Sequence, residues 1–229
     1  MTLSDRKVGT RSSRPVEQIV QFSLDEIYSQ AIEGLQSVRT QIDAADTLRN
    51  NGLIEVSDNI LRDQITRLTS VYDLYANRIL RYCYLKMFID GCEKTDAYNR
   101  LSMRIEDVDK LIACPLESET IFTDFLHRQF ETKAFASGSE TTKLLTCIGI
   151  DSKEVYRKLY PSFHKSKECA GRQEELQKIF KRRNSIVHDN DKSKVSGKQF
   201  PISKDCVMEY YQVFDNLINI IYREVKKKY

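Results

Sequence analysis

The chain has 229 residues, 41% of them hydrophobic, with a formal charge of +3. Against roughly 150 residues per domain, that length predicts one large domain, or one domain with an extension, and enough apolar content for a real core. The mild charge excludes a uniformly basic nucleic-acid binder, whose phosphate contacts demand a strongly basic face, so any such role has to come from local charge.

The N-terminal stretch MTLSDRKVGTRSSRP has positive charges but no apolar run. It predicts a disordered basic tail over 1–15, with no signal peptide and no membrane span later in the chain. A helical extension is expected over 16–56 and the main α-helical domain over 57–229. In FSLDEI, Ser23 is the expected N-cap, Glu26 its capping-box partner, and Phe22 with Ile27 a hydrophobic staple. Val20, Leu24, Ile27, Ala31, Leu35, Val38 and Ile42 then recur by three and four, one apolar stripe that ends at Asn50, Asn51 and Gly52, where a left-handed turn is tolerated.

Ser57, with Val56 and Leu61 in staple positions, signals a second helix over about 58–89. Its stripe is Leu61, Ile65, Leu68, Tyr72, Tyr75, Ile79 and Tyr82, and Asp90-Gly91 stops it. The two helices are expected to form an antiparallel hairpin. The tyrosines and arginines of VYDLYANRILRYCYLK would also suit a base-stacking platform, but tyrosines at helical spacing favour a core role.

Residues 93–117 show no sustained period and Pro115 interrupts them. SETIFTDFLHRQF predicts a helix with Ile121, Phe122, Phe125 and Leu126 inward, and SETTKLLTCIGI fits a short helix or a strand. In DSKEVYRKLY, Asp151 should cap, Glu154 answer it, and Ile150 staple to Val155. A basic loop, PSFHKSKECAG, leads to a helix from about Glu168 to Val187. After the polar loop DNDKSKVSGKQFP, a last helix from Lys204 to Lys226 turns Val207, Tyr210, Phe214, Leu217 and Ile221 inward. With no alternating strand pattern, phosphate loop or repeat, the fold class is all-α.

Cys83, Cys92, Cys114, Cys147, Cys169 and Cys206 form no C-x-x-C pair, so they are expected to be reduced thiols of a cytoplasmic protein, not zinc ligands. The feature that stands out is KRRNSIVHDND. At about 100° per residue, Leu176, Ile179, Phe180, Ile186 and Val187 share a face, and Arg183 falls near its middle, where the pattern calls for leucine. Asn184 and His188 lie one turn apart on its rim. Two readings stay open on the pattern: Arg183 snorkels to water or pairs with a buried carboxylate, or it serves phosphate chemistry.

The second reading has a chemical logic. A guanidinium forks onto phosphate oxygens, an imidazole moves a proton near neutral pH, and an asparagine can orient either group. RNA supplies its own nucleophile, the 2'-hydroxyl, so no metal or other cofactor is required. His127 and His164 lie near no matching arginine-asparagine pair and are expected to be exposed. A third reading makes Asp189 and Asp191 magnesium ligands, though two loop acids flanked by lysines form a thin site.

RNSIVH, Arg183 to His188, resembles the R-x(4-6)-H signature of the HEPN superfamily, with the polar residue directly after the arginine and a final apolar helix following. RRNSIVHD looks most like the RiboL-PSP and MAE_28990-type branches. The resemblance, which does not reach the first helix and leaves it as an N-terminal helical extension, implies an α-helical bundle forming a homodimer whose motif helices line a shared cleft that cuts RNA without metal. It also implies a toxin or phage-defence effector with a possible antitoxin or defence-system partner. By position, Arg183, Asn184 and His188 would be catalytic, with Lys181, Arg182, Lys192 and Lys194 as RNA contacts. Members silenced by adenylylation carry a tyrosine two residues after the histidine; here that place is Asn190, so that regulation is not expected. A noncatalytic nucleotide- or partner-binding HEPN module is the alternative.

Overall fold

The computed structural model describes residues 21–161 and 169–229. The tail expected over 1–15, Val20, His164, Glu168 and the greater part of the basic loop lie outside the described residues. Among the described residues the chain is all-α, with the elements joined by turns and a single isolated bridge between Lys192 and Gln199.

Helix α1 (Leu24–Asn50) starts as its sequence dictates. The Ser23 hydroxyl accepts the Glu26 N–H at 3.3 Å, and the Ser23 N–H donates to the Glu26 carboxylate at 2.7 Å. Leu24, Ile27, Ala31, Leu35, Val38, Ile42 and Ala45 form its buried stripe. Of the three residues expected to share the reversal, only Gly52 turns left-handed, at φ 83°, while Asn51 keeps φ −88°. Gly52 N–H bonds to Arg49 C=O and Leu53 N–H to Leu48 C=O, the paired closure that a glycine after the cap permits.

That closure corrects the predicted start of the next helix. Helix α2 (Ile54–Ile89) begins as soon as Gly52 has reversed the chain. Ser57 is therefore no cap; it is fully buried, and its hydroxyl has no hydrogen-bond partner among the described residues, while Val56 is exposed. The predicted stripe is buried from Leu61 through Ile79, with Tyr82 half-buried. Tyr72 donates to Thr141 Oγ1 and Tyr75 to the Ile218 carbonyl, each at 3.1 Å. Burial holds both hydroxyls well above the usual phenol range, so they are fixed donors inside the core and no stacking platform.

The stretch without a period folds into α3 (Asp96–Asn99), α4 (Ile105–Ala113) and a 3-10 turn at Pro115–Glu117. Helix α5 (Ser118–Phe130) buries Phe122, Phe125, Leu126 and Phe130, with Ile121 only partly covered. SETTKLLTC resolves as helix α6 (Gly138–Cys147), capped by Ser137. Asp151 caps α7 (Ser152–Leu159) by accepting the Lys153 N–H at 2.9 Å. Glu154 does not answer it: its carboxylate pairs with Arg157 instead.

Helix α8 (Cys169–Asp189) and α9 (Lys204–Lys228) complete the bundle. The hairpin of α1 and α2 carries α9 across both helices, and α8 packs against α2, α6 and α7. The buried stripe of α1 belongs to the same core as the rest, so this helix is built into the bundle. A Cβ on Gly138 would stand 2.3 Å from the Gln173 carbonyl; only glycine lets α6 lie this close to α8. No helix among the described residues is long and apolar enough to cross a membrane.

The two serines should behave oppositely. Ser23→Ala should cost about 1 kcal/mol, the usual worth of an N-cap, and Ser57→Ala should cost nothing measurable, because it removes a buried hydroxyl that bonds to nothing. Urea unfolding of both variants checks this; a larger loss at Ser57 than at Ser23 would contradict it.

Candidate nucleic-acid interface

Helix α8 leaves the core as it approaches its C-terminus. Leu176 and Ile179 are buried, Phe180 and Ile186 are half-buried, and Val187 is 48% exposed. The face predicted to be apolar thus emerges into solvent where the polar motif sits. Arg183 and Asn184 are half-buried and His188 is exposed in the last turn. Five residues of helix set Arg183 and His188 about 140° and about 7.5 Å apart, which would send their side chains different ways. The Arg183 guanidinium turns, however, and its Nη1 donates to Asn184 Oδ1 at 3.0 Å. Since Asn184 lies only about 40° from His188 around the helix, the three polar groups gather along one rim.

No carboxylate lies within ion-pair distance of Arg183 among the described residues. Its charge is felt by Asp73 on α2, whose Oδ1 accepts the N–H groups of Phe135 at 2.5 Å and Ala136 at 2.8 Å. Burial pushes the Asp73 carboxyl above its ordinary range, while those two N–H groups and the Arg183 charge pull it down. Arg183 therefore faces a diffuse negative field and spends one donor on a neutral amide. The remaining donors of its planar fork are not committed to any described residue.

Its neighbour has the structural role that the sequence left open for Arg183. Asp191 is completely buried, and its Oδ2 accepts Arg62 Nε from α2 at 3.0 Å and Arg182 Nη2 at 2.7 Å. Arg62 also donates to the Phe200 carbonyl at 3.0 Å, and Arg182 to the Pro201 carbonyl at 3.1 Å. The Arg182 guanidinium stacks over the Phe200 ring at 5.2 Å. Of the residues expected to touch RNA, Arg182 is thus engaged inside the protein. Lys181, Lys192 and Lys194 are exposed. Lys194 lies 3.6 Å from Asp189, and Lys181 and Lys192 have no acidic partner among the described residues.

This geometry corrects one expectation and weighs against the magnesium reading. Asp191 does not suit the role of magnesium ligand, because its carboxylate is buried and its Oδ2 accepts from two guanidinium groups. His127 is half-buried, not exposed. The basic run of the C-terminus does not join the motif: Lys226 pairs with Asp25, Lys227 with Glu224, and Lys228 donates to the Gly149 carbonyl. The motif's loop returns instead to Lys204, which pairs with Asp43 and Asp46 near the other end of α1.

Sequence reasoning missed Arg62 and the true role of Asp191. No anomaly like that of Arg183 marked Arg62, which lies about 100° around α2 from Leu61 and so off the predicted stripe. Residues 59–227 match the model of the RiboL-PSP-HEPN family, so α1 lies ahead of the matched stretch. No curated protein and no solved structure matches the chain.

Removing the clamp's centre should be costly. Asp191→Ala leaves two arginines facing a buried hole, and breaking such a pair from one side typically costs about 3–5 kcal/mol. The double variant Asp191→Ala, Arg182→Ala should lose less than the sum of the two single losses. Denaturant unfolding of the three variants checks this, and strict additivity would contradict the clamp.

Proposed function

Because the chain belongs to the RiboL-PSP-HEPN family of the HEPN superfamily, we propose that it is a metal-independent endoribonuclease that cuts RNA by 2'-hydroxyl attack in a cleft shared by two protomers. HEPN domains are typically metal-independent ribonucleases. The observation that carries the reading is the split between adjacent arginines. Arg182 is bound to the buried Asp191, while Arg183 bonds to Asn184, on the rim it shares with His188, and has most of its donors uncommitted among the described residues.

In the proposed reaction a histidine takes the 2'-hydroxyl proton and the freed oxygen attacks phosphorus. The bond to the 5'-oxygen breaks, and a protonated acid gives that oxygen its proton. The products are a 2',3'-cyclic phosphate and a 5'-hydroxyl, with no oxidant, metal or cofactor consumed. Arg183 stabilises the charge that develops on the phosphoryl oxygens, Asn184 holds the guanidinium in place, and His188 transfers the proton. Lys181, Lys192 and Lys194 supply phosphate contacts, and Arg182 acts through the clamp.

Each chain offers one motif histidine, and the reaction uses both a base and an acid. An isologous homodimer brings a second His188 into the same cleft. The surface beside the motif suits such a partner: Ile186 and the exposed Val187 line a groove with Ile60, Gln64 and Arg67. A role as a toxin or phage-defence effector, held in check by an antitoxin or a defence-system partner, is supported by the family resemblance.

Purified protein in EDTA should cleave RNA. His188→Ala should reduce the rate by about 10² to 10⁴, the usual worth of a general acid-base group, with its melting temperature unchanged. Arg183→Lys should also fail, since lysine keeps the charge and loses the fork. Activity intact in His188→Ala, or lost only in step with folding, would leave a noncatalytic binding module as the better account. Light scattering at micromolar concentration should give the mass of a dimer; a monomer that still cuts RNA would sink the shared cleft.

A further inference from the structure

Helix α2 carries a second pair of arginines, remote from the motif's clamp at Arg62 and facing other neighbours. Arg78 and Arg81 line a pocket between the segment entering α1, α2 and α5, with Phe22, Tyr82, Leu85 and Leu126 as its apolar walls. Gln21 closes one side by donating to Thr123 Oγ1 at 2.7 Å. The cavity is about 50 Å³. Since a single water needs roughly 10–15 Å³ by this measure, it has room for a compact group of a few heavy atoms.

The two guanidinium groups are held in place but not neutralised. Arg78 donates to the side-chain oxygen of Gln30 and lies over the Phe22 ring, 4.5 Å from its centre. Arg81 donates through Nε to the Asn77 carbonyl at 3.3 Å, and its two terminal nitrogens bond to no described residue. No carboxylate lies within ion-pair distance of either among the described residues. Burial works against both charges, and in Arg81 the charge of Arg78 adds to it, with only weak relief from Glu131. Two like charges at i and i+3 repel on a helix face, and apolar walls deprive them of water.

We propose that this pocket is an oxyanion site, taking inorganic phosphate or the phosphate end of a small phosphate monoester between Arg78 and Arg81. An oxyanion supplies the missing negative charge and matches the planar, forked donors of arginine. The organic part of a monoester would lie against Tyr82 and Leu85. At about 50 Å³ the cavity admits the phosphate group and not the rest of a monoester, whose organic part would lie at its mouth, and it is too small for an RNA backbone to thread. It uses none of the residues assigned to RNA cleavage, and binding is read without reference to turnover.

The test is thermal melting and calorimetry of the full chain with inorganic phosphate, adenosine monophosphate and adenosine. Phosphate and the monophosphate should stabilise saturably and adenosine should not. A monophosphate that binds more tightly than phosphate places the organic part at the pocket's mouth, and equal affinity identifies free phosphate as the ligand; both uphold the site. Arg81→Gln should weaken binding by at least about tenfold, as loss of a charge-assisted contact does. Arg183→Ala, at the motif, should leave it unchanged. Without ligand, Arg81→Gln should melt at or above the parent temperature, because it removes an unpaired, partly buried charge. The proposal is overturned if phosphate raised to about 10 mM gives no saturable effect. It is also overturned if binding is lost in Arg183→Ala and kept in Arg81→Gln, or if ligand-free Arg81→Gln melts lower.

Discussion

The Asp191 carboxylate, enclosed between Arg62 of α2 and Arg182 of α8, holds the motif helix to the longest helix of the bundle. Three charges taken out of water are stable only as a complete set, since each desolvated group depends on the others and on the carbonyls of Phe200 and Pro201. The chain accepts strain to build it: Asn190 and Asp191 are both left-handed, with φ 49° and 55°, a conformation costly for residues with a Cβ. That turn ends α8 at Asp189 and lets Asp191 N–H bond back to the Ser185 carbonyl at 2.9 Å. The position of His188 follows from this, because it sits in the turn that the clamp pins.

Helix α2 is the element on which everything else is registered. One face pairs with α1, another takes α9, and α8 lies along its N-terminal half. Tyr72 and Tyr75 tie it to α6 and α9 through hydroxyls that burial keeps as donors. Asp73 sits on the same helix and meets the loop ahead of α6 and the field of Arg183 together. A single rod therefore anchors the C-terminal end of the motif, because Arg62 holds the clamp that follows His188.

Features that depend on local chemistry were legible in the sequence. The Ser23 capping box, the stripe from Leu24 to Ile42 and the stop at Asp90-Gly91 need only neighbours along the chain. The anomaly of a charge on an apolar face also pointed to the right helix, although the structural partner of a buried acid proved to be Arg182 and not Arg183. What failed was either a local signal that lost to a stronger neighbour or a charge whose partner lies far along the chain. Ser57 carried a convincing start signal that the closure at Gly52 overrode, Glu154 found Arg157 instead of its cap, and Asp191 looked like a solvated loop acid until α2 supplied Arg62. Helix α9 likewise carries the C-terminal lysines away from the motif, to the end of α1 where Lys226 pairs with Asp25.

The central claim is that RNA supplies its own nucleophile to a site built from Arg183, Asn184 and His188. The most direct measurement follows a defined RNA, in EDTA, beside the same RNA carrying a single 2'-deoxy substitution at the mapped cut. The account predicts a 2',3'-cyclic phosphate and a 5'-hydroxyl from the first, and no cut at that position in the second. Cleavage at the deoxy position, or a 3'-hydroxyl with a 5'-phosphate as the product ends, would contradict it.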